Sequence, residues 1–421
     1  MKLLIKRARI TDPLSPHHGN VTDILIEDGR ITRIGDLRSA TADQTIERPG
    51  LHLSPGWVDV FAHFADPGSE HKETLATGSR AAAKGGFTDV FLIPNTKPVI
   101  HDKAGVEYIR MASRDLPASL HPLGAISRNT EGRELAEMYD MHQSGAIAFS
   151  DGLQPVQQAG LLVKALQYVK AMNAVVIQLP DDHTIQPNGL MNEGIVSTRL
   201  GLPGKPALAE ELMTARDLKL AAYAASRLHL TAVSTATSID YIRHARQSGT
   251  DITCSATPYH TFFTDSDLAG YDTHFKVNPP LRNEQDRTAL RNAFEDGTVD
   301  CIATHHLPHE TDSKVVEFEY ARFGMIGLET AFAACRTAMP ELALDKLIAC
   351  LATNPRRIFG LDPATIKEDA VACLTLFEPD TTWTVTRESL GSKSSNTPFL
   401  GNALKGKVTG TVRNGKVHLN A

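Results

Sequence analysis

Eight short apolar runs between Trp57 and His309, most of them followed by a helix-like stretch, constrain this chain more than any other feature. They are Trp57-Val60, Thr88-Ile93, Leu120-Ile126, Ala146-Phe149, Ala174-Ile177, Leu228-Val233, Asp251-Ala256 and Val299-Ala303. Apolar runs of strand length that alternate with helical segments predict parallel strands joined by crossover helices, and eight of them predict a closed (β/α)8 barrel. In such a barrel every strand C-terminus opens into one mouth. The residues just past the runs are therefore the candidates for chemistry: His63, Asn95, Ser127, Asp151, Gln178, Ser234, His260 and His305.

The two ends of the chain read differently. Asp28-Gly29 lies between Asp23-Glu27 and Arg30-Ile34, and Asn414-Gly415 lies between Val408-Arg413 and Lys416-Leu419. Both dipeptides suit the positive φ angles of a two-residue hairpin turn. Neither end has enough strands for a stable sheet alone, so residues 1–52 and 366–421 are expected to join in one small β-domain beside a barrel of residues 53–365. The fold class is thus α/β, a TIM barrel with a small β-domain built from both chain ends. Helices are expected at Ser79-Lys84 (ending at Gly85-Gly86), Leu161-Ala171, Ala207-Ala225, Leu328-Met339 and Leu342-Ala352, with Asn354-Pro355 as a stop. The serine-rich segment Thr386-Pro398 reads as a surface loop.

Composition removes some functions. With 43 basic and 49 acidic residues the formal charge is −6, and no basic stripe points to nucleic acid or to an anionic membrane. Met1-Lys2-Leu3-Leu4-Ile5-Lys6-Arg7 is too short and too quickly charged for a signal peptide, and no apolar run is long enough to span a bilayer, so a cytoplasmic protein is expected. The five cysteines form no Cys-x-x-Cys pair and are expected to be reduced core residues.

The stretch from Ser54 to Gly68, Ser-Pro-Gly-Trp-Val-Asp-Val-Phe-Ala-His-Phe-Ala-Asp-Pro-Gly, is the most specific in the sequence. With Pro94-Asn95-Thr96-Lys97-Pro98, Ser150-Asp151-Gly152, Met191-Asn192-Glu193-Gly194, Val277-Asn278-Pro279-Pro280-Leu281-Arg282 and Ser395-Asn396-Thr397-Pro398-Phe399, it resembles the dihydroorotases of the amidohydrolase superfamily. The resemblance implies reversible closure of N-carbamoyl-L-aspartate to dihydroorotate in pyrimidine synthesis, with one or two zinc ions at the barrel mouth. Zinc would polarise the amide carbonyl and activate a water, a carboxylate would carry the proton, and an arginine would hold the substrate carboxylate.

Against that pattern the chain departs at most strands. The family's first strand reads Asp-x-His-x-His-x-Arg-x-Pro-Gly; Phe61 stands for the first histidine and Ala65 for the arginine, leaving His63. Gln178 and Ala232 stand for the histidines of strands five and six. Thr304-His305-His306-Leu307-Pro308-His309 replaces Thr-Asp-His-Ala-Pro-His, so His305 occupies the position of the catalytic aspartate. The remaining metal set is His63, Asp151 and His305, a two-histidine, one-carboxylate arrangement. Asn95, Asn278 and His309 match positions that bind substrate, and Lys97 or Arg128 is open as a stand-in for the arginine. Adjacent residues on a strand alternate sides, so at most two of His305, His306 and His309 are expected to face the mouth.

Two readings follow. One is a non-catalytic homologue that serves as a structural partner of aspartate carbamoyltransferase, which makes carbamoyl aspartate. The other is an active dihydroorotase or related amidohydrolase with a rebuilt metal site. A homodimer is expected in either case.

Overall fold

The computed structural model describes residues 2–420. Its barrel strands are Trp57–Ala62, Phe87–Leu92, Ser119–Pro122, Val176–Gln178, Leu228–Leu230, Ile252–Ala256 and Cys301–Ile302, all paired in parallel with their neighbours. The fourth run contributes only Phe149, which bridges Gly124 on one side and Val176 on the other. The ring closes where Ala62 bridges His306 and the His63 N–H donates to the His306 carbonyl at 2.9 Å. All eight runs thus occupy consecutive barrel positions.

Both hairpins form. Asp28 and Asn414 have φ of 49° and precede Gly29 and Gly415 at 79° and 71°, the left-handed pair that a tight turn between twisted strands requires. The terminal pieces join in one eight-stranded sheet, in the order Lys416–Leu419, Ala403–Arg413, Leu374–Thr384, His52–Pro55, Lys2–Ile10, Val21–Glu27 and Arg30–Gly35, with Gln44–Glu47 paired to Lys2–Ile10. First and last strands share this sheet with three strands between them. Strand His52–Pro55 belongs to it, so the sheet reaches Pro55. It meets the barrel base through Trp57, whose ring packs 4.9 Å from Phe332 and 5.5 Å from Phe377, centroid to centroid. Burial of each such aromatic stabilises the junction by roughly 1.5–3 kcal/mol.

Helices Leu75–Lys84, Ala159–Lys170, Leu208–Ala224 and Ala331–Ala338 lie where the sequence places them. Two expectations are corrected. Asn354-Pro355 does not stop a helix: Leu344–Ile348 passes through a π turn at Ala349–Thr353 into Asn354–Phe359, with Pro355 in the first turn of that last piece. There proline lacks only an N–H that a helix start leaves unused, and the wide turn before it absorbs the register. Nor is Thr386-Pro398 a plain surface loop. Ser392, Ser394, Asn396 and Thr397 are buried, because this loop crosses the barrel face and donates to Glu73 and to loop carbonyls beside the mouth.

Candidate active site

A cavity of about 580 Å³ opens at the C-terminal ends of the barrel strands. Phe61, His63, Asn95, Asn278, His305, His306 and His309 all line it. Side-chain alternation therefore breaks down past strand eight, where three histidines reach the cavity against the expected two. His305 has φ of 46°, a left-handed backbone that ends the strand's two-residue period and turns consecutive side chains toward the same space.

His63 bonds through Nε2 to the Asn95 carbonyl at 3.0 Å. A carbonyl only accepts, so Nε2 carries the proton, and Nδ1 is a bare, buried lone pair with no partner. Burial pushes its pKa down to about 4. His305 stacks on Phe61 at 4.2 Å and 18°, and its Nε2 lies 2.8 Å from the Thr231 hydroxyl. Because Thr231 already accepts from Ser255, its own proton is free for His305. Burial, with His260 and His229 nearby, pushes His305 down to about 3. Such an imidazole is a weak base at neutral pH, far from the value that suits proton transfer there.

Asp151 is not on the cavity wall. Its carboxylate accepts from the Ile126 and Ser127 N–H groups, at 2.8 and 2.9 Å, and from the Ser127 hydroxyl. Burial raises its pKa to about 6 against those bonds. Its work is to organise the loops after strands three and four, which corrects the expectation that it is a metal ligand. Asn95 serves the same framework: its amide donates to the Asp151 carbonyl at 3.0 Å and accepts from the Leu153 N–H at 2.9 Å. Both polar atoms of its side chain are thereby engaged, although the residue lines the cavity.

His306 and Glu73 are fully buried and stand 3.7 Å apart, Nε2 to Oε2. Burial alone would raise the Glu73 pKa; His306, Ser392 and Thr77 overcome it and hold the carboxyl below its usual value. His309 bonds to the Phe323 carbonyl at 2.9 Å, and Lys72 approaches its other ring nitrogen at 3.4 Å. Burial pushes His309 to about 4. Gln178 and His260 turn away from ligand duty: Gln178 pairs with the Val156 backbone, and His260 with Thr257 and the Pro279 and Pro280 carbonyls.

Apart from Asn278, the opposite wall was not found from sequence. Asp181 Oδ2 accepts from Lys205 at 2.6 Å and from Asn278 Nδ2 at 2.9 Å, with His183 at 3.5 Å, and Lys205 also donates to Asn278 Oδ1 at 3.0 Å. Burial works against ionisation of Asp181, yet His183, Lys205 and Asn278 hold its carboxyl well below the usual range. Arg322 lines the same cavity. Lys97 and Arg128, the proposed stand-ins for the lost arginine, are exposed and line no part of it, and Arg128 pairs with Glu134 and Glu137.

Zinc in a catalytic site takes three protein ligands and keeps one open position. Among the described residues no three His, Cys, Asp or Glu side chains are grouped to hold a metal ion. Asp151 is engaged by three donors away from the cavity wall, and Phe61 and Thr231 occupy His305. The residues present do not fit the ion. What they can do is bind and orient a small polar molecule over Phe61, between neutral imidazoles and a charged wall.

Comparison with known proteins agrees with this architecture. The chain matches the dihydro-orotase-like family over residues 50–238. A protein named dihydroorotase from Geobacter metallireducens is 42% identical over 421 residues, covering 99% of each chain. Another so named, from Pelotomaculum thermopropionicum, is 42% identical over 422 residues, covering 99% of this chain and 98% of its own. Among solved structures, an L-hydantoinase from Arthrobacter aurescens superposes with a TM-score of 0.86 at 23% identity, over 100% of this chain and 97% of its own. A D-hydantoinase from a Thermus species gives 0.82 at 20%, over 99% and 95%. At those identities the structures establish the fold. No helix among the described residues is long and apolar enough to cross a membrane.

Proposed function

We propose, from the premise that this chain belongs to the dihydroorotase family, that it is a non-catalytic member acting as a structural partner of aspartate carbamoyltransferase in pyrimidine synthesis. One observation carries the reading. At the position of the family's proton-carrying aspartate stands His305, stacked on Phe61 and bonded to Thr231, with its basicity suppressed by burial. Ala65 removes the guanidinium that the resemblance assigns to the substrate carboxylate. Positioning and proton transfer together carry several orders of magnitude in rate, and both are lost at once. The retained barrel and β-domain leave the outer surface as what such a protein offers, and a homodimer that binds the carbamoyltransferase is the assembly we propose.

The test has two parts. Purified protein assayed for dihydroorotate hydrolysis with added zinc is expected to show no turnover above background. Mixed with aspartate carbamoyltransferase at micromolar concentration, it is expected to co-elute as a larger species. Failure to associate removes the structural role. A second reading, an active dihydroorotase with a rebuilt site, is favoured by the 42% identity over the whole chain to proteins named dihydroorotase. Zinc-dependent turnover would establish it.

A further inference from the structure

Arg322 is the cation in the cavity wall that has nothing to hold. Its side chain is exposed, and no carboxylate or carbonyl among the described residues accepts from its guanidinium, although the residue lines the cavity. Its backbone, by contrast, is fixed. Lys314 donates to the carbonyls of Arg322 and Gly324 at 2.7 and 3.0 Å, and Lys276 to those of Phe318 and Glu319 at 2.7 and 2.9 Å. The two lysines are 2% and 1% exposed. Among the described residues neither has a carboxylate partner within ion-pair distance; Lys276 instead lies 4.7 Å over the Phe323 ring. An ammonium group buried on main-chain carbonyls is expensive unless the bonds are good. Burial pushes Lys276 to about 8 and Lys314 to about 7, and through these bonds both lysines clamp the segment. Segment 314–324 thus presents one unpaired guanidinium from a rigid base.

Lys205 faces the same space. An ammonium carries three N–H donors, and two are used, on Asp181 and Asn278. The third remains for a ligand. Asp181 neutralises the Lys205 charge and leaves the Arg322 guanidinium uncompensated on the wall, where three of the lining histidines, His63, His305 and His309, are neutral at pH 7.

We propose that Arg322 and Lys205 anchor a small organic anion in this cavity, an acid group lying in the Arg322 fork and an acceptor oxygen at its other end meeting Lys205. The fork of an arginine pairs with two oxygens of a carboxylate or a phosphate, which a lysine at that place would not do. Recognition has in this way passed from the first barrel strand, where Ala65 stands, to the loop after the eighth and to the residue that follows Gly204. The inference rests on the cavity and holds whether or not the bound molecule is turned over.

Calorimetric titration of the full chain, in buffer containing a chelator, decides it. Succinate and glycerol 3-phosphate are the anionic probes, and succinamide the uncharged control. At least one anion is expected to bind 10-fold or more tightly than succinamide, and its identity separates a carboxylate from a phosphate ligand. Arg322→Gln, at an exposed side chain whose loss does not touch the fold, is expected to weaken binding at least 10-fold. Arg322→Lys should recover part of it, because charge returns without the fork. Arg128→Gln, outside the cavity, should bind as the unaltered protein does. Anion affinity no better than that of succinamide, or equal affinity in Arg322→Gln, overturns the proposal. Zinc-dependent turnover, which would remove the non-catalytic reading, is read in a separate assay and leaves this one intact.

Discussion

Arg356→Ala is expected to lower the free energy of unfolding by up to about 3–5 kcal/mol, the cost of breaking a buried ion pair by removing one partner. Arg356 is 4% exposed at the base of the barrel. Its guanidinium donates to Asp89 at 2.7 Å, to the Gly56 carbonyl at 2.9 Å, to Thr88 at 3.2 Å and to the Asp362 carbonyl at 3.0 Å. It therefore ties the entry to the first strand, the base of the second and the segment leading into the β-domain. Burial would raise the Asp89 pKa, yet His121, Arg356 and Arg413 hold it well below the usual range, so Asp89 stays ionised at pH 7 and depends on these cations. Removing Arg356 leaves His121 at 2.9 Å and Arg413 at 3.3 Å to carry the load. Domains of this kind have only about 5–15 kcal/mol in total, so the variant should be marginal. The measurement is urea unfolding followed by the fluorescence of Trp57 and Trp383. Arg128→Ala, which breaks only exposed pairs, sets the scale at about 0–1 kcal/mol. If Arg356→Ala moves the midpoint no further than Arg128→Ala, the buried network is not what holds the base together.

Much of this fold was legible because its signals are local. Gly and Asn in the two hairpin turns admit positive φ, and eight apolar runs at regular intervals admit few arrangements other than a barrel. The Asn354-Pro355 step misled because proline forbids a helix interior and tolerates a helix start, and a single sequence does not say which applies. The loop at 386–398 misled for a different reason. Its serines look like solvent ligands, but Ser392 and Ser394 spend their hydroxyls on Glu73 and on the Lys72 carbonyl, contacts more than 300 residues away in sequence.

The site divides in the same way. Strand-end counting found His63, Asn95 and His305 on the cavity wall, and motif matching added Asn278 and His309. It could not foresee that Asp151 faces the loop behind it, since its fate is set by the backbone N–H groups of Ile126 and Ser127. It missed Asp181, His183, Lys205 and Arg322, because these lie beyond the strand ends in loops that fold back over the mouth. A signal was present: Asp181 and His183 follow Gln178 within five residues, and Lys205 directly follows the turn-forming stretch Gly201-Leu202-Pro203-Gly204. An ionisable residue so close to a strand end or to a turn motif is worth carrying as a wall candidate.

Acidification from pH 7 to pH 5 is expected to destabilise the protein. The sign follows from five buried imidazoles. His63, His260 and His309 are pushed by burial to about 4, and His229 and His305 to about 3, whereas an unfolded histidine titrates near 6.5. A depressed histidine stabilises the fold fully above the unfolded value and loses that stability as the pH falls toward the folded one. Each contributes up to about 1.4 kcal/mol per pH unit in that window. Six carboxyls work the other way, Asp12, Asp286 and Asp300 among them, each raised by burial. Burial raises Asp59, Asp151 and Asp217 to about 6, so the folded state keeps their protons where the unfolded state has released them, and falling pH favours folding through these groups between about 6 and their unfolded values. The histidines are displaced further, and their unfolded forms take up protons nearer neutrality than the folded carboxyls do, so acid destabilises on balance. His52, also lowered, is partly open to solvent and adds less. Urea midpoints at pH 7, 6 and 5 would show the slope directly; a midpoint that is flat or rises toward pH 5 contradicts the assignment of neutral, buried histidines. His305→Asn removes one titrating ring from the Phe61 stack and should flatten the slope by up to about one proton, even where it lowers the stability at pH 7.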